Sequence, residues 1–279
     1  MSTDSITTAK PFGTLQAPRS ALLGGAALLL AGLFAGFQVS TWPVRLHYPG
    51  ELKDIEGMRL AEMVHLRQGV RIYDPALPDR FDVAMYGPLY YLLGAHLVNP
   101  EAPGYFLLRL ASTHATLGLA TACGILAYRL SRSYLAAFLA PLVFLSSGIV
   151  TSYGTADRAD SVALLLVLSG VLLAYRSQQS SALAGAAVLM LLGFFYKQQF
   201  VAGPLTVVVF LVIEKRYSLA IKFSGLLVLG GLSLLALFQF VVFPGQAFFH
   251  HFFLYNLLPI TGTQFPRGLE AISKPGVMR

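Results

Sequence analysis

From Ser20 to Thr41 the chain runs for 22 residues without a charged side chain. At 1.5 Å per residue, a helix of that length matches the roughly 30 Å hydrocarbon core of a bilayer. Further apolar blocks follow, and only 12% of the 279 residues are charged while 56% are hydrophobic. A soluble domain carries about a quarter charged residues. The sequence therefore predicts an all-α, polytopic membrane protein, because helices satisfy their own backbone polar groups in lipid. The net charge of +7 would suggest nucleic acid in a soluble protein. Here Lys and Arg lie between apolar blocks, where they set membrane orientation, and no nucleic-acid partner is expected. The one cysteine, Cys123, can form no intrachain disulfide. Lys10 and Arg19 precede the first block as in a signal peptide. However, the block exceeds a signal core of roughly 7–15 residues and no Ala-x-Ala site precedes Trp42, so it reads as a retained span.

Four blocks have spanning length with little argument: Ser20–Thr41, Tyr105–Tyr128, Tyr134–Thr151 and Phe223–Phe243. Ser161–Tyr175, Ala182–Tyr196 and Phe200–Ile213 are shorter, and Ala84–Val98 is short and interrupted by Gly87-Pro88. If Ala84–Val98 does not cross, Arg129, Arg132, Arg176, Lys215, Arg216 and Lys222 all fall in inner loops, as the positive-inside rule favours. The expectation is then about seven spans, with Ala84–Val98 a helix on the outer surface. The whole chain, 1–279, forms one transmembrane domain, with residues 1–19 cytoplasmic and residues 42–104 forming the first outer loop. Residues 244–279 are outside as well. Within that loop, Asp54–Gly69 has modest helical amphipathicity, Gly69 ends the helix, and Pro75 and Pro78 punctuate the stretch after it.

The same topology brings Asp54, Glu56, Arg158, Asp160 and Lys197 to the outer side. Carboxylates there can serve as general base, and Arg and Lys can hold a phosphate leaving group. Lys197 interrupts two blocks too short to cross alone, which places it at membrane depth, where an ionisable group is a functional candidate. Simpler readings exist for each. Asp54 could cap the following helix, Arg158 and Asp160 could merely pair, and Lys197 could snorkel. Arg109 and His114 are expected to face the bundle interior with structural partners. His250-His251, among Phe248, Phe249, Phe252 and Phe253, read as an interfacial aromatic belt. No zinc spacing, phosphate-binding glycine loop or nucleophile elbow is present, so no metal ligands and no organic cofactor are assigned, and a divalent metal is left open.

Five short motifs in order carry a resemblance. They are Asp54-Ile55-Glu56-Gly57, then Gln68-Gly69-Val70-Arg71-Ile72-Tyr73, then Met85-Tyr86-Gly87-Pro88-Leu89-Tyr90-Tyr91. Arg158-Ala159-Asp160 comes next, and Lys197-Gln198-Gln199 is last. From about Ser20 to Asn256 the chain resembles the GT-C superfamily of glycosyltransferases, especially the bacterial branch similar to dolichyl-phosphate-mannose protein mannosyltransferases. Gly87 departs from the family's Tyr-Pro-Pro-Leu-Tyr. The resemblance implies a bacterial plasma-membrane enzyme that uses a polyprenyl-phosphate-sugar donor and glycosylates a lipid, protein or glycan acceptor on the extracytoplasmic face. It implies a first-loop acid, Glu56 or Asp54, as catalytic base. Arg158, Asp160, Lys197, Gln198 and Tyr86 would line the donor or acceptor site. Family members continue with further spans, so a chain ending at Arg279 reads as C-terminally truncated. A transporter or flippase component for lipid-linked intermediates and a catalytically silent homologue remain the alternatives.

Overall fold

The computed structural model describes residues 17–74, 84–175, 177 and 179–256. The expectations attached to residues 1–16, to Pro75 and Pro78, to Arg176 and to the segment beyond Asn256 lie outside the described residues. All regular elements among the described residues are helical. In chain order they are α1 (Ala17–Ser40), α2 (Trp42–His47), α3 (Glu56–Arg67), α4 (Pro88–Leu97), α5 (Phe106–Ser131) and α6 (Tyr134–Leu145). Next come α7 (Gly148–Tyr153), α8 (Ala159–Ala174), α9 (Ser180–Tyr196), α10 (Ala202–Ile213), α11 (Tyr217–Ala236) and α12 (Phe248–Phe252). A π-helical turn, Leu237–Val242, extends α11.

Among the described residues, three helical stretches are long and apolar enough to cross a membrane: Leu22–His47, Phe106–Ser131 and Tyr217–Val242, 26 residues each. That is fewer than the seven expected, because the other four apolar blocks form shorter helices, α6, α8, α9 and α10. Only 11% of the most apolar part of the first stretch and 6% of the third is buried within the protein. Leu22, Leu29, Leu33, Phe34 and Phe37 on α1 and Ile221, Leu229 and Leu232 on α11 stay exposed. Apolar surface on that scale is stable only against lipid or another protein.

Local chemistry explains the breaks. The expected Tyr134–Thr151 span is divided at Ser146-Ser147, where the Ser147 hydroxyl caps the Val150 N–H at 3.4 Å and starts α7. A serine that bonds nearby backbone competes with helix continuation in this way. The Ala182–Ile213 region breaks after Tyr196, and Lys197 takes extended dihedrals of −152° and 112°. The first-loop helix begins at Glu56, two residues later than the N-terminal boundary read from the sequence, and Ile55 rather than Asp54 stands at its N-cap. The ten-residue α4, about 15 Å long by helical rise, is too short to span. It packs on α3, α5 and α9.

The helices pack in the order α1, α6, α5, α8, α9, α11, with α10 set against α8, α9 and α11. Small residues bring α8 and α9 together: a Cβ on Gly193 would lie 2.7 Å from Val167 Cγ2 and 3.0 Å from the Ala163 carbonyl oxygen. Close backbone approach through small residues is how apolar helices associate without a hydrophobic drive. Polar contacts collect at two ends of the resulting bundle. At one end lie Arg45, Glu56, Arg109, Asp157, Asp160 and Lys197. At the other, Arg129 donates to the Leu172 carbonyl and Arg216 to the Ser177 carbonyl. Arg109 and Arg129 sit on the same helix, α5, twenty residues and about 30 Å apart by helical rise.

Candidate functional site at one end of the bundle

The site is built on a buried ion pair. Glu56 is 1% exposed and Arg109 0%. Arg109 Nη2 lies 2.9 Å from Glu56 Oε2, and Nε lies 3.3 Å from Oε1. Glu56 also accepts from the N–H groups of Leu52 at 2.5 Å and Asp157 at 2.6 Å. Arg109 donates further to the carbonyls of Arg45, Tyr48 and Gly50. With both oxygens occupied, Glu56 clamps the first loop and the 155–158 loop to α5.

Ile55 separates the two acids with φ at 73°, in the left-handed region that β-branched residues avoid. Such a conformation costs on the order of 1–3 kcal/mol and persists only where its surroundings enforce it. Here the Glu56 clamp follows directly, and the Ile55 side chain packs against the buried core. Glu56 is buried, and Asp54 remains exposed beside Lys53. Lys53 Nζ stands 5.3 Å from the Tyr153 ring centroid, and the Arg158 guanidinium 4.7 Å from the same ring.

Arg158, Asp160 and Lys197 form one charged cluster. Asp160 Oδ1 accepts from Lys197 Nζ at 2.6 Å and Oδ2 from Arg158 Nε at 3.1 Å. The Lys197 side chain is 6% exposed, those of Arg158 and Asp160 24% and 39%. Lys197 is therefore ion-paired and buried rather than snorkelling, while Arg158 and Asp160 can be reached from outside. The Tyr86 ring lies between two cations, 4.9 Å from Lys197 Nζ and 4.6 Å from the Arg59 guanidinium, and burial pushes its hydroxyl pKa up. Gln198 has a backbone role: its Nε2 donates to the Met85 carbonyl at 2.8 Å. The Gly87 N–H bonds the Tyr196 carbonyl, and a Cβ on Gly87 would overlap the Phe195 carbonyl oxygen. That close crossing leaves no room for a side chain at position 87.

Two participants escape a reading by motif. Arg59, fully buried in α3, reaches Glu62 at 2.7 Å and the Tyr91 hydroxyl at 2.8 Å. The i,i+3 spacing of Arg59 and Glu62 was the one available signal. Asp157 is 4% exposed, and its Oδ2 has no hydrogen-bond partner among the described residues. Burial, opposed by the Tyr90 hydroxyl and reinforced by the Glu56 charge, pushes its carboxyl up to about 7. Arg109 has the structural partner that its position in an apolar helix suggested. His114, by contrast, faces outward from α5, where its ring lies 2.8 Å from the Leu110 carbonyl oxygen. His251 is fully buried, with Nε2 2.7 Å from the Asp74 carbonyl oxygen and its ring against Tyr73, whereas His250 is exposed. The histidine pair is thus divided between the protein interior and the surface.

A cavity of 340 Å³ opens beside the charged cluster. Leu119, Phe144, Ile149 and Leu164 supply its apolar wall, and Arg158 and Asp160 its polar edge. Among the described residues no three His, Cys, Asp or Glu side chains gather as metal ligands.

The fold and site together define an apolar helical protein of membrane-spanning character, with a cation-rich site at one end of its bundle beside an apolar cavity. No family model, curated protein or solved structure matches the chain.

Proposed function

We propose that this chain is a GT-C-type membrane glycosyltransferase of the bacterial plasma membrane. It takes a sugar from a polyprenyl-phosphate donor and passes it to a lipid, protein or glycan acceptor on the extracytoplasmic face. The observation that carries the reading is the apolar cavity of 340 Å³ with Arg158 at its edge and Lys197 behind it, sharing Asp160. A polyprenyl phosphate has the matching form, an apolar chain that ends in an anion. Two cations around one carboxylate leave a net positive charge for its phosphate, and charge-assisted bonds of that kind stabilise a phosphate as it leaves.

The membrane arrangement that goes with this reading has seven traverses, formed by α1, α5, α6 with α7, α8, α9, α10 and α11. Its support is the separation of polar contacts into two ends and the 26-residue length of three stretches. The inner loops carry Arg129, Arg132 and Arg216, so the candidate site faces outward. Asp54 serves as base for the acceptor hydroxyl, because it is exposed while Glu56 is enclosed by Arg109 and backbone N–H groups.

The test is transfer from a labelled polyprenyl-phosphate sugar by purified protein in nanodiscs, with Asp54→Asn as comparison. An amide cannot take the proton, and general-base catalysis contributes about 10²–10⁴ in rate. Turnover by wild type and a loss of that order in Asp54→Asn are expected. Donor binding with no turnover by wild type would favour a transporter component or a catalytically silent homologue instead.

A further inference from the structure

At the opposite end of α5 the structure holds a second cavity, 620 Å³ in volume, between α5, α8 and α9. Ile125, Leu172 and Leu189 form apolar wall, and Arg129, Arg132 and Tyr175 stand at its polar margin. Arg129 is held in place by a 2.6 Å bond from Nη1 to the Leu172 carbonyl oxygen. Arg132 ends α5 in a left-handed conformation, φ 56°, with its N–H bonded to the Tyr128 carbonyl at 2.8 Å. Both side chains are exposed, and among the described residues no acidic side chain lines the cavity.

We propose that this cavity is a binding site for one anionic glycerophospholipid of the leaflet opposite the candidate active site, with its phosphate between Arg129 and Arg132 and an acyl chain along Ile125 and Leu189. Two cations beside an apolar groove complement a lipid that carries charge at one end and hydrocarbon at the other. Basic pockets between membrane helices on the cytoplasmic side hold such head groups. The distance is suitable too. Arg129 lies twenty residues along α5 from Arg109, about 30 Å, which is one hydrocarbon thickness. The inference rests on the membrane-spanning character of α5 and is independent of sugar transfer.

The full chain is reconstituted in nanodiscs of phosphatidylcholine with one-fifth phosphatidylglycerol, released, and weighed by native mass spectrometry to count retained lipids. A basic residue near the membrane surface contributes about fivefold in affinity for anionic lipid, so two predict about 30-fold preference for phosphatidylglycerol. Arg132→Asn keeps a residue that tolerates the left-handed backbone and should cut that preference about fivefold. Arg129→Gln with Arg132→Asn should abolish it. Lys222→Gln, which removes the same charge elsewhere on the bundle, should leave it unchanged. If the Arg129 variant fails to fold, Arg132→Asn alone decides, since the Arg132 side chain is exposed at the helix end. Retention of the two lipids by wild type in the proportion in which the nanodisc holds them, or an equal loss in Lys222→Gln and Arg132→Asn, overturns the proposal.

Discussion

Arg109, near the start of α5, closes on Glu56, 53 positions earlier in the chain, through nitrogen–oxygen distances of 2.9 and 3.3 Å in a space that excludes water. Removing one partner of such a pair strands the other charge, which costs about 3–5 kcal/mol, whereas removing both costs much less. Glu56→Gln and Arg109→Met should each lower the melting temperature and the yield of inserted protein. The double substitution should recover part of that loss. Additive losses across the cycle would show that the two side chains act independently.

Exposure separates the two cations of the Arg158, Asp160 and Lys197 cluster. Lys197 is the more buried, so its loss leaves Asp160 with Arg158 alone and removes a cation from the proposed phosphate site. Lys197→Met should weaken polyprenyl-phosphate binding to purified protein by roughly tenfold or more, and Arg158→Met by less, because Arg158 is more exposed. Lys197→Arg should restore binding only in part, since a planar guanidinium cannot occupy the place of an ammonium. Unchanged affinity in Lys197→Met would leave the Lys197–Asp160 pair a packing feature.

Asp157 makes stability depend on pH. Its carboxyl titrates at about 7 in the folded chain against an ordinary 3.8, so the folded state binds the proton more tightly than the unfolded state. Stability from this group is complete below pH 3.8 and falls between there and pH 7, by at most about 1.4 kcal/mol per pH unit. Asp157→Asn should flatten the melting temperature between about pH 5 and pH 8 and raise it at the upper end of that range. An unaltered pH profile in the variant would assign the dependence to another group.

Gly87 is a steric requirement. Its N–H bonds the Tyr196 carbonyl, and a methyl group there would overlap the Phe195 carbonyl oxygen. Neither atom can swing aside as a side chain would. Gly87→Ala should destabilise by about 1–3 kcal/mol, as overpacking does, and should disturb Lys197 and Gln198 directly beyond. Gly69→Ala is the useful contrast: its site is open, and the penalty there comes from a φ of 79° alone. A Gly87→Ala protein that melts with wild type would exclude the crossing as a constraint.

Local chemistry made much of this protein legible. The helix that breaks at Lys197 is marked by a charged, polar Lys-Gln-Gln step between apolar blocks. The short α4 is marked by Gly87-Pro88, since proline fits a first helical turn and resists placement further in. The divided α6 and α7 were harder to foresee, because Ser146-Ser147 in an apolar run favours either a continued helix or a cap, and only packing selects between them. His114 shows the same limit. A histidine in an apolar helix can face neighbours or lipid, and a 26-residue helix with little amphipathic bias does not say which.

By itself the sequence determined that this chain is helical and apolar, that its helices break at Gly87-Pro88 and Lys197, and which side chains carry charge. Those properties depend on neighbours a few residues apart, through backbone bonding, capping and the length of uncharged runs. Tertiary structure alone decided the roles of those charges. Asp54 and Glu56 are near-equivalent as letters, yet across the left-handed turn at Ile55 one is exposed and the other is locked by Arg109. Asp157, unremarkable beside Arg158 in sequence, becomes a carboxyl that titrates at about 7 through burial next to Glu56. Burial and electrostatic partnership depend on residues dozens of positions apart, and no local pattern encodes them.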